Sequence, residues 1–467
     1  MCHREFSAVV VLILCSGAWT LAQSAGNPSN QQPEQNPTQE IAKEQPEGPA
    51  IIVGPTQIRI GGYLGLTGIF RSTNSGGGPG TDFAGIPYTD TVQGNVSEAR
   101  LSAQPSRLSI RINAPASPGR PALAGYFEMD FAGATSGNVV VTSSGVGLRL
   151  RHAFGEVQRG KFLIAAGQAF SLMTPAKRQI SIWPSDYDMS QAVDMNYVLG
   201  MVWARSPQVR FTYRPGTSFN WSFSVENPEQ QIGANAVTLP ACCADDLAAQ
   251  YNSGGNGVSV PNLMPDLVSR AAYNHGNRFH LDGGGVVRAF RHSLQPYTDS
   301  VHQAGGGVSV NGRVNPAAGT RIIGQVSYGA GMGRYVGGLV PDVSISADGN
   351  IHPIRTTSWV TGLEHTVNPK LSVSGYYSGV RTFNSYSEDT DGSFIGFGFP
   401  GSGRSQNKRL HEITGVVAVQ PWSVPEAGSF QWNSQISWLE RSPWSESSGP
   451  QSASAFMFLT QIRYNLP

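Results

Sequence analysis

AGYFEMDF, residues 124–131, alternates with a period of two: Phe127, Met129 and Phe131 point one way, Tyr126, Glu128 and Asp130 the other. That is a strand with two unlike faces, one apolar and one carrying two carboxylates. The same pattern precedes it in SRLSIRIN, where Leu108, Ile110 and Ile112 oppose Arg107, Ser109, Arg111 and Asn113. It follows again in LRLR, where Leu148 and Leu150 alternate with Arg149 and Arg151. A soluble sandwich alternates too, so one strand decides little. A long series of strands with charge on one face and large apolar residues on the other predicts a barrel with lipid outside and water inside.

Composition agrees. The chain has 467 residues, of which 56 are Gly and only 13% are charged. Past the N-terminus no run approaches the roughly 20 apolar residues of a membrane helix, whereas alternating barrel strands escape a hydropathy scan. A formal charge of +1 argues against a nucleic-acid partner. The N-terminus reads as a secretory signal over residues 1–22: Arg4 precedes an apolar run from Ala8 to Cys15, with cleavage sites near Ala22 and Ala25. Leu14 is bulky where a lipoprotein signal takes a small residue, which argues against lipidation of Cys15. Without the signal, only the adjacent pair Cys242-Cys243 remains; it is no disulfide framework and reads as a vicinal disulfide in a loop, with metal binding disfavoured because no second Cys or His pair is near in sequence.

Residues 23–55, rich in Gln, Pro, Glu and Asn, read as a disordered polar arm, and 56–467 as the barrel. Strands are expected at 57–70, the three segments above, a small-residue strand around 165–169, 208–214, 219–226, 267–275, 279–291, 302–314, 320–329, 356–367, 370–381, 409–420, 429–440 and 455–466. The fold expected is therefore all-β: a transmembrane antiparallel barrel of about sixteen strands, with a range of 14–18. Short connections such as Pro215-Gly216-Thr217 alternate with long ones, as short turns at one rim and long external loops at the other require. Outward Trp221, Trp432, Trp438 and Tyr464 fit an aromatic girdle.

The run from Arg107 to Met173 resembles the DcaP-like porins, through SRLSIRI, GYFEMDF, LRLRHAFGEV and FLIAAGQAFSLM in that order and spacing. The resemblance implies a homotrimeric outer-membrane channel for dicarboxylates and similar small anions. It departs from the family in two places: the arm lacks a helical pattern, and the chain ends in Leu466-Pro467 rather than an aromatic residue.

A diffusion channel needs no cofactor, metal or catalytic residue; it needs a watery constriction with a chosen field. The inward charges expected to line it are Arg59, Arg107, Arg111, Arg149, Arg151, Arg210 and Arg214, with Glu128, Asp130 and Glu226. Seven guanidiniums against three carboxylates should concentrate small anionic solutes and hand a carboxylate from fork to fork. The bland alternative is that Arg111, Arg149 and Arg151 merely pair with Glu128 and Asp130 and stiffen the wall. Arg59, Arg210 and Arg214 have fewer acids nearby and read as free lumen charges. Residues 171–200 read either as an inward constriction loop or as an external loop. His152, between Leu150 and Phe154, reads as outward, and beside Ala165, Ala166, Gly167 and Ala169 suggests either a subunit interface or a histidine at the headgroup level. Enzyme signals fail: Pro400 interrupts the GxGxxG at Gly396, Gly398 and Gly401, His411-Glu412 lacks a second His, and no GxSxG is present. The competing classes are a barrel enzyme of lipase or acyltransferase type, and an exported adhesive or carbohydrate-binding β protein.

Overall fold

The computed structural model describes residues 49–75, 78–133, 147–233, 236–252, 260–294, 300–444 and 449–467. The expected signal (1–22) and most of the expected arm lie outside them. Sixteen strands close into one antiparallel barrel: β1 Thr56–Arg71, β2 Arg107–Ala114, β3 Ala122–Asp130, β4 Arg149–Arg159, β5 Phe162–Phe170, β6 Arg205–Tyr213, β7 Phe219–Glu226 and β8 Asp266–His275, then β9 Phe279–Ser293, β10 Ser300–Ala317, β11 Thr320–Ala330, β12 Arg355–Asn368, β13 Leu371–Thr382, β14 Asn407–Val424, β15 Gly428–Pro443 and β16 Ala453–Asn465. Each strand pairs with the next, and β16 returns to β1 from Tyr63↔Asn465 to Arg71↔Met457. Closure satisfies every strand edge, which hydrocarbon demands.

The alternation works as the sequence predicts. Leu64, Leu66, Ile413, Ile436 and Trp432 stand exposed on the outside, while Glu128, Asp130, Glu412, Gln435 and Ser437 are buried within. One rim is made of short turns (160–161, 318–319, 369–370), the other of long loops (72–106, 171–204, 227–265, 331–354, 383–406).

Two local departures have identifiable causes. A β-bulge sets Glu128 opposite His152 but Met129 opposite Leu150, leaving Arg151 as an extra residue. The bulge reverses parity. His152 therefore turns inward, fully buried, its ring 4.9 Å from that of Phe170. Ala165 and Ala169 are buried too, and Phe162 and Ile164 face outward in their place. The expected small-residue interface beside an outward His152 is thus corrected. Second, the stretch ending the expected arm is ordered: Ile51–Val53 folds back on β1, pairing Ile51 with Ile58. Cys242 and Cys243 are bonded to each other ahead of a short helix, Ala244–Gln250, in the 227–265 loop.

Candidate functional site

The connection between β5 and β6, residues 171–204, folds into the barrel and is held to the wall almost all the way round. Its backbone N–H groups donate to inward side chains: Leu172 to Glu226 on β7 (2.8 Å), Ala176 to Asp282 on β9 (3.3 Å), Val193 to Gln435 on β15 (2.6 Å) and Leu199 to Glu412 on β14 (2.7 Å). Its carbonyls accept from Arg270 on β8 at Met173 (2.9 Å) and from Asn311 on β10 at Ala176 (3.2 Å). Leu172, Met173, Ile180, Val193, Leu199 and Val202 then form an apolar core inside the barrel. Of the two readings open for this segment, the inward loop is the observed one.

Arg210, Arg214 and Glu226 serve this attachment. Arg210 donates to the carbonyls of Ser181 and Phe170 (2.8 Å each), to the Tyr187 hydroxyl (3.3 Å) and to Gln208. Arg214 donates to the Ile180 carbonyl at 3.2 Å. Both are buried, so the expectation that they are free lumen charges is corrected: they face inward as alternation requires, but under the loop.

On the remaining arc, β16 and β1 to β4, the loop presents side chains to an arginine-rich wall. Arg151 bridges Glu128 (2.5 Å) and Asp130 (3.0 Å), and Arg149 grips Asp130 with two hydrogen bonds (3.0 and 2.7 Å). Arg107 stands 4.0 Å from Glu128. These carboxylates are therefore ion-paired, as the wall-stiffening alternative supposes, yet the guanidiniums still outnumber them. Arg59 and Arg111 are direct cross-strand partners, with like charges adjacent. Arg111 lies 4.2 Å over the Trp183 ring of the loop, whose Nε1–H donates to Glu156 (3.2 Å). Arg107 and Arg463 both lie over the Tyr63 ring, at 5.6 and 5.1 Å. None of Arg59, Arg111 and Arg463 forms an ion pair with a described residue.

Tyr197 faces this wall from the loop. Burial raises the pKa of its phenol, but the charges of Arg151, Arg107 and Arg205 outweigh burial and hold it below the ordinary tyrosine value. The sequence reading missed Tyr63, Trp183, Tyr197, Arg205 and Arg463. Alternation alone offers Tyr63, which shares a face with Arg59, and Arg463, which opposes Ile462 and Tyr464. The loop residues carry no periodic signal.

A closed sixteen-stranded antiparallel barrel with one long loop drawn into its lumen has the fold of an outer-membrane porin. It is similar to the outer membrane channel DcaP of Acinetobacter baumannii, with a TM-score of 0.62 and 17% identity over 89% of this chain and 99% of that one. It is similar also to an anion-selective porin from Comamonas acidovorans, with a TM-score of 0.50 and 12% identity over 88% of this chain and 100% of that one. No protein-family model and no curated protein sequence matches the chain. The fold is that of the DcaP-like porins.

Proposed function

We propose that the chain is an outer-membrane porin that passes small hydrophilic anions, dicarboxylates among them, by passive diffusion. The observation that carries this reading is a lumen wall on which Arg59, Arg111 and Arg463 have no carboxylate partner, beside the ion-paired Arg107, Arg149 and Arg151, with Arg111 lying over the Trp183 ring of the inward loop. A cationic, low-dielectric constriction raises local anion concentration. A carboxylate meets a succession of planar forks, each able to take it bidentately and none in a closed pocket, so binding stays weak enough for release. The chain reaches the membrane through a cleaved leader at 1–22, assembles as a homotrimer in outer-membrane lipid and does no chemistry on its solutes. Part of this reading draws on likeness, since the Comamonas protein is an anion-selective porin.

The test is reconstitution of the detergent-purified protein in a planar bilayer under a salt gradient. Stepwise conductance with a reversal potential of anionic sign is expected. Cation preference would discard the arginine mechanism, and absence of conductance from folded protein would discard the channel.

A further inference from the structure

Outside the barrel, on three neighbouring strands, side chains are sorted by height. Nearest the long-loop rim stand Arg355 on β12, Arg381 on β13 and Arg409 on β14, all exposed and outward. Arg381 and Arg409 are direct cross-strand partners. The ring of Phe383 lies between Arg355 and Arg381, 5.4 and 5.5 Å from their guanidinium carbons. Below them come Trp359, Tyr377 and His411 on the same three strands. The His411 ring is stacked on Tyr377, with its Nδ1 3.0 Å from the phenol oxygen, and meets the Trp359 ring edge-on at 5.5 Å. Lower still the wall is aliphatic, with Leu363, Ile413 and Val417 exposed.

This order matches the layers of a bilayer leaflet. Long loops lie outside the cell and aromatic rings sit at the headgroup boundary. Two to four residues of tilted strand separate the arginines from the aromatic row, which places them roughly 5–10 Å above it. That is where lipid phosphates lie. The three guanidiniums make no hydrogen bond or ion pair with any described residue. Glu440, the carboxylate facing outward beside them, stands opposite His411 and is paired with none of them. Another outward arginine near this rim is satisfied from within: Arg291 by the carbonyls of Pro261 and Asn262 at 3.3 and 3.4 Å. Like charges placed directly opposite are destabilising, and guanidiniums at a membrane boundary need an anion.

We propose that the Arg355, Arg381 and Arg409 row binds the phosphate of an anionic lipid headgroup in the outer leaflet, with Phe383 and the Trp359–Tyr377–His411 stack flanking that lipid. The proposal rests on the outer-membrane reading of the barrel but not on its ion selectivity. Guanidinium forks take phosphate bidentately, and three of them on adjacent strands form a site wider than one phosphate group.

The test is native mass spectrometry of the detergent-purified full chain with three probes: a phosphorylated glucosamine lipid, its dephosphorylated counterpart and phosphatidylcholine. Phosphorylated-lipid adducts should exceed the other two by roughly tenfold and fall by a similar factor in R355Q/R381Q/R409Q. R159Q, at the opposite rim, should bind like the wild type. Equal uptake of phosphorylated and dephosphorylated lipid by the wild type overturns the proposal, and that comparison needs no variant to fold. Displacement of the lipid by inorganic phosphate alone at equal concentration overturns it in favour of a free-anion site. A change of oligomeric state in the triple variant with no loss of lipid overturns it in favour of a contact between copies of the chain. Planar-bilayer conductance separates the two readings: a protein that takes up phosphorylated lipid yet forms no pores keeps this site and loses the porin function.

Discussion

Tyr197 is the one non-glycine residue with positive φ (64°) among the described residues. A tyrosine in that region carries strain of about 1–3 kcal/mol and persists only where its surroundings dictate it. Here its N–H donates to the Asp194 carbonyl (3.0 Å) and its ring packs edge-on to Trp203. The result is a phenol aimed at Arg151, Arg107 and Arg205, whose charges lower its pKa. Above that pKa the constriction gains a negative charge, so anion preference should decline as pH rises toward 10, and Y197F should flatten the profile; reversal potentials between pH 7 and pH 10 check both. The stability sign runs the other way. A depressed folded-state pKa means the ionised form is the better held, with its stabilisation full above the unfolded value and lost as pH falls through the folded one. The arginines themselves divide into two kinds. R111Q removes an unpaired cation and should lower the anion-to-cation permeability ratio by roughly two- to fivefold with the fold intact. R151Q strips Glu128 and Asp130 of their shared partner and should destabilise the barrel by on the order of 3 kcal/mol, seen as a lower temperature for the heat-modifiable shift on gels.

At the scale of elements, the 171–204 loop is a lumen lining fastened by side chains from facing strands, with Arg210 as its most connected anchor. Replacing it by glutamine leaves the Ser181 and Phe170 carbonyls without their charged donor. R210Q should give larger and noisier single-channel conductance, together with faster proteolysis within 171–204. Unchanged conductance would show that the remaining anchors suffice. Glycine matters at one neighbouring position: Gly167 has φ +135°, and a Cβ there would lie 2.1 Å from the Ala153 carbonyl oxygen. G167V should therefore impair assembly, read as loss of the fast-migrating folded band. These elements also mark what could be read in advance. Strands such as 107–113, 124–131, 208–214, 219–226 and 429–440 show clear alternation, because lipid outside and water inside impose opposite demands on successive residues, whereas the Gly-rich strands at 267–381 are only weakly patterned, since glycine marks neither face. Arg210 and Glu226 were placed on the inner face for the same reason. Their partners were not legible, since a loop that folds inward looks locally like one that folds outward until the side chains receiving it are known. The bulge at Arg151 was equally silent: one extra residue changes no composition, yet it turns His152 from the expected outside to the inside.

For the whole molecule, the distribution of charge matters more than its total. A formal charge of +1 over the chain would give no selectivity by itself. The barrel sorts it: Asp282 and Asp266 are paired with Arg270 and Arg288, while Arg59, Arg111 and Arg463 are left without carboxylate partners on the lumen wall. Selectivity that arises from such a local field must respond to screening. The Debye length is about 10 Å at 0.1 M salt and about 3 Å at 1 M, so guanidinium charges reach across a narrow constriction in the first case and only to contact in the second. The anion-to-cation permeability ratio should accordingly fall toward that of free diffusion as salt is raised from 0.1 to 1 M, measured from reversal potentials at a fixed gradient ratio. If the preference instead came from a tight binding pocket with short hydrogen bonds, it would survive 1 M salt, because contacts at about 3 Å lie within even the shorter screening length. A salt-independent ratio would therefore replace the open guanidinium wall with a discrete anion-binding site as the origin of selectivity.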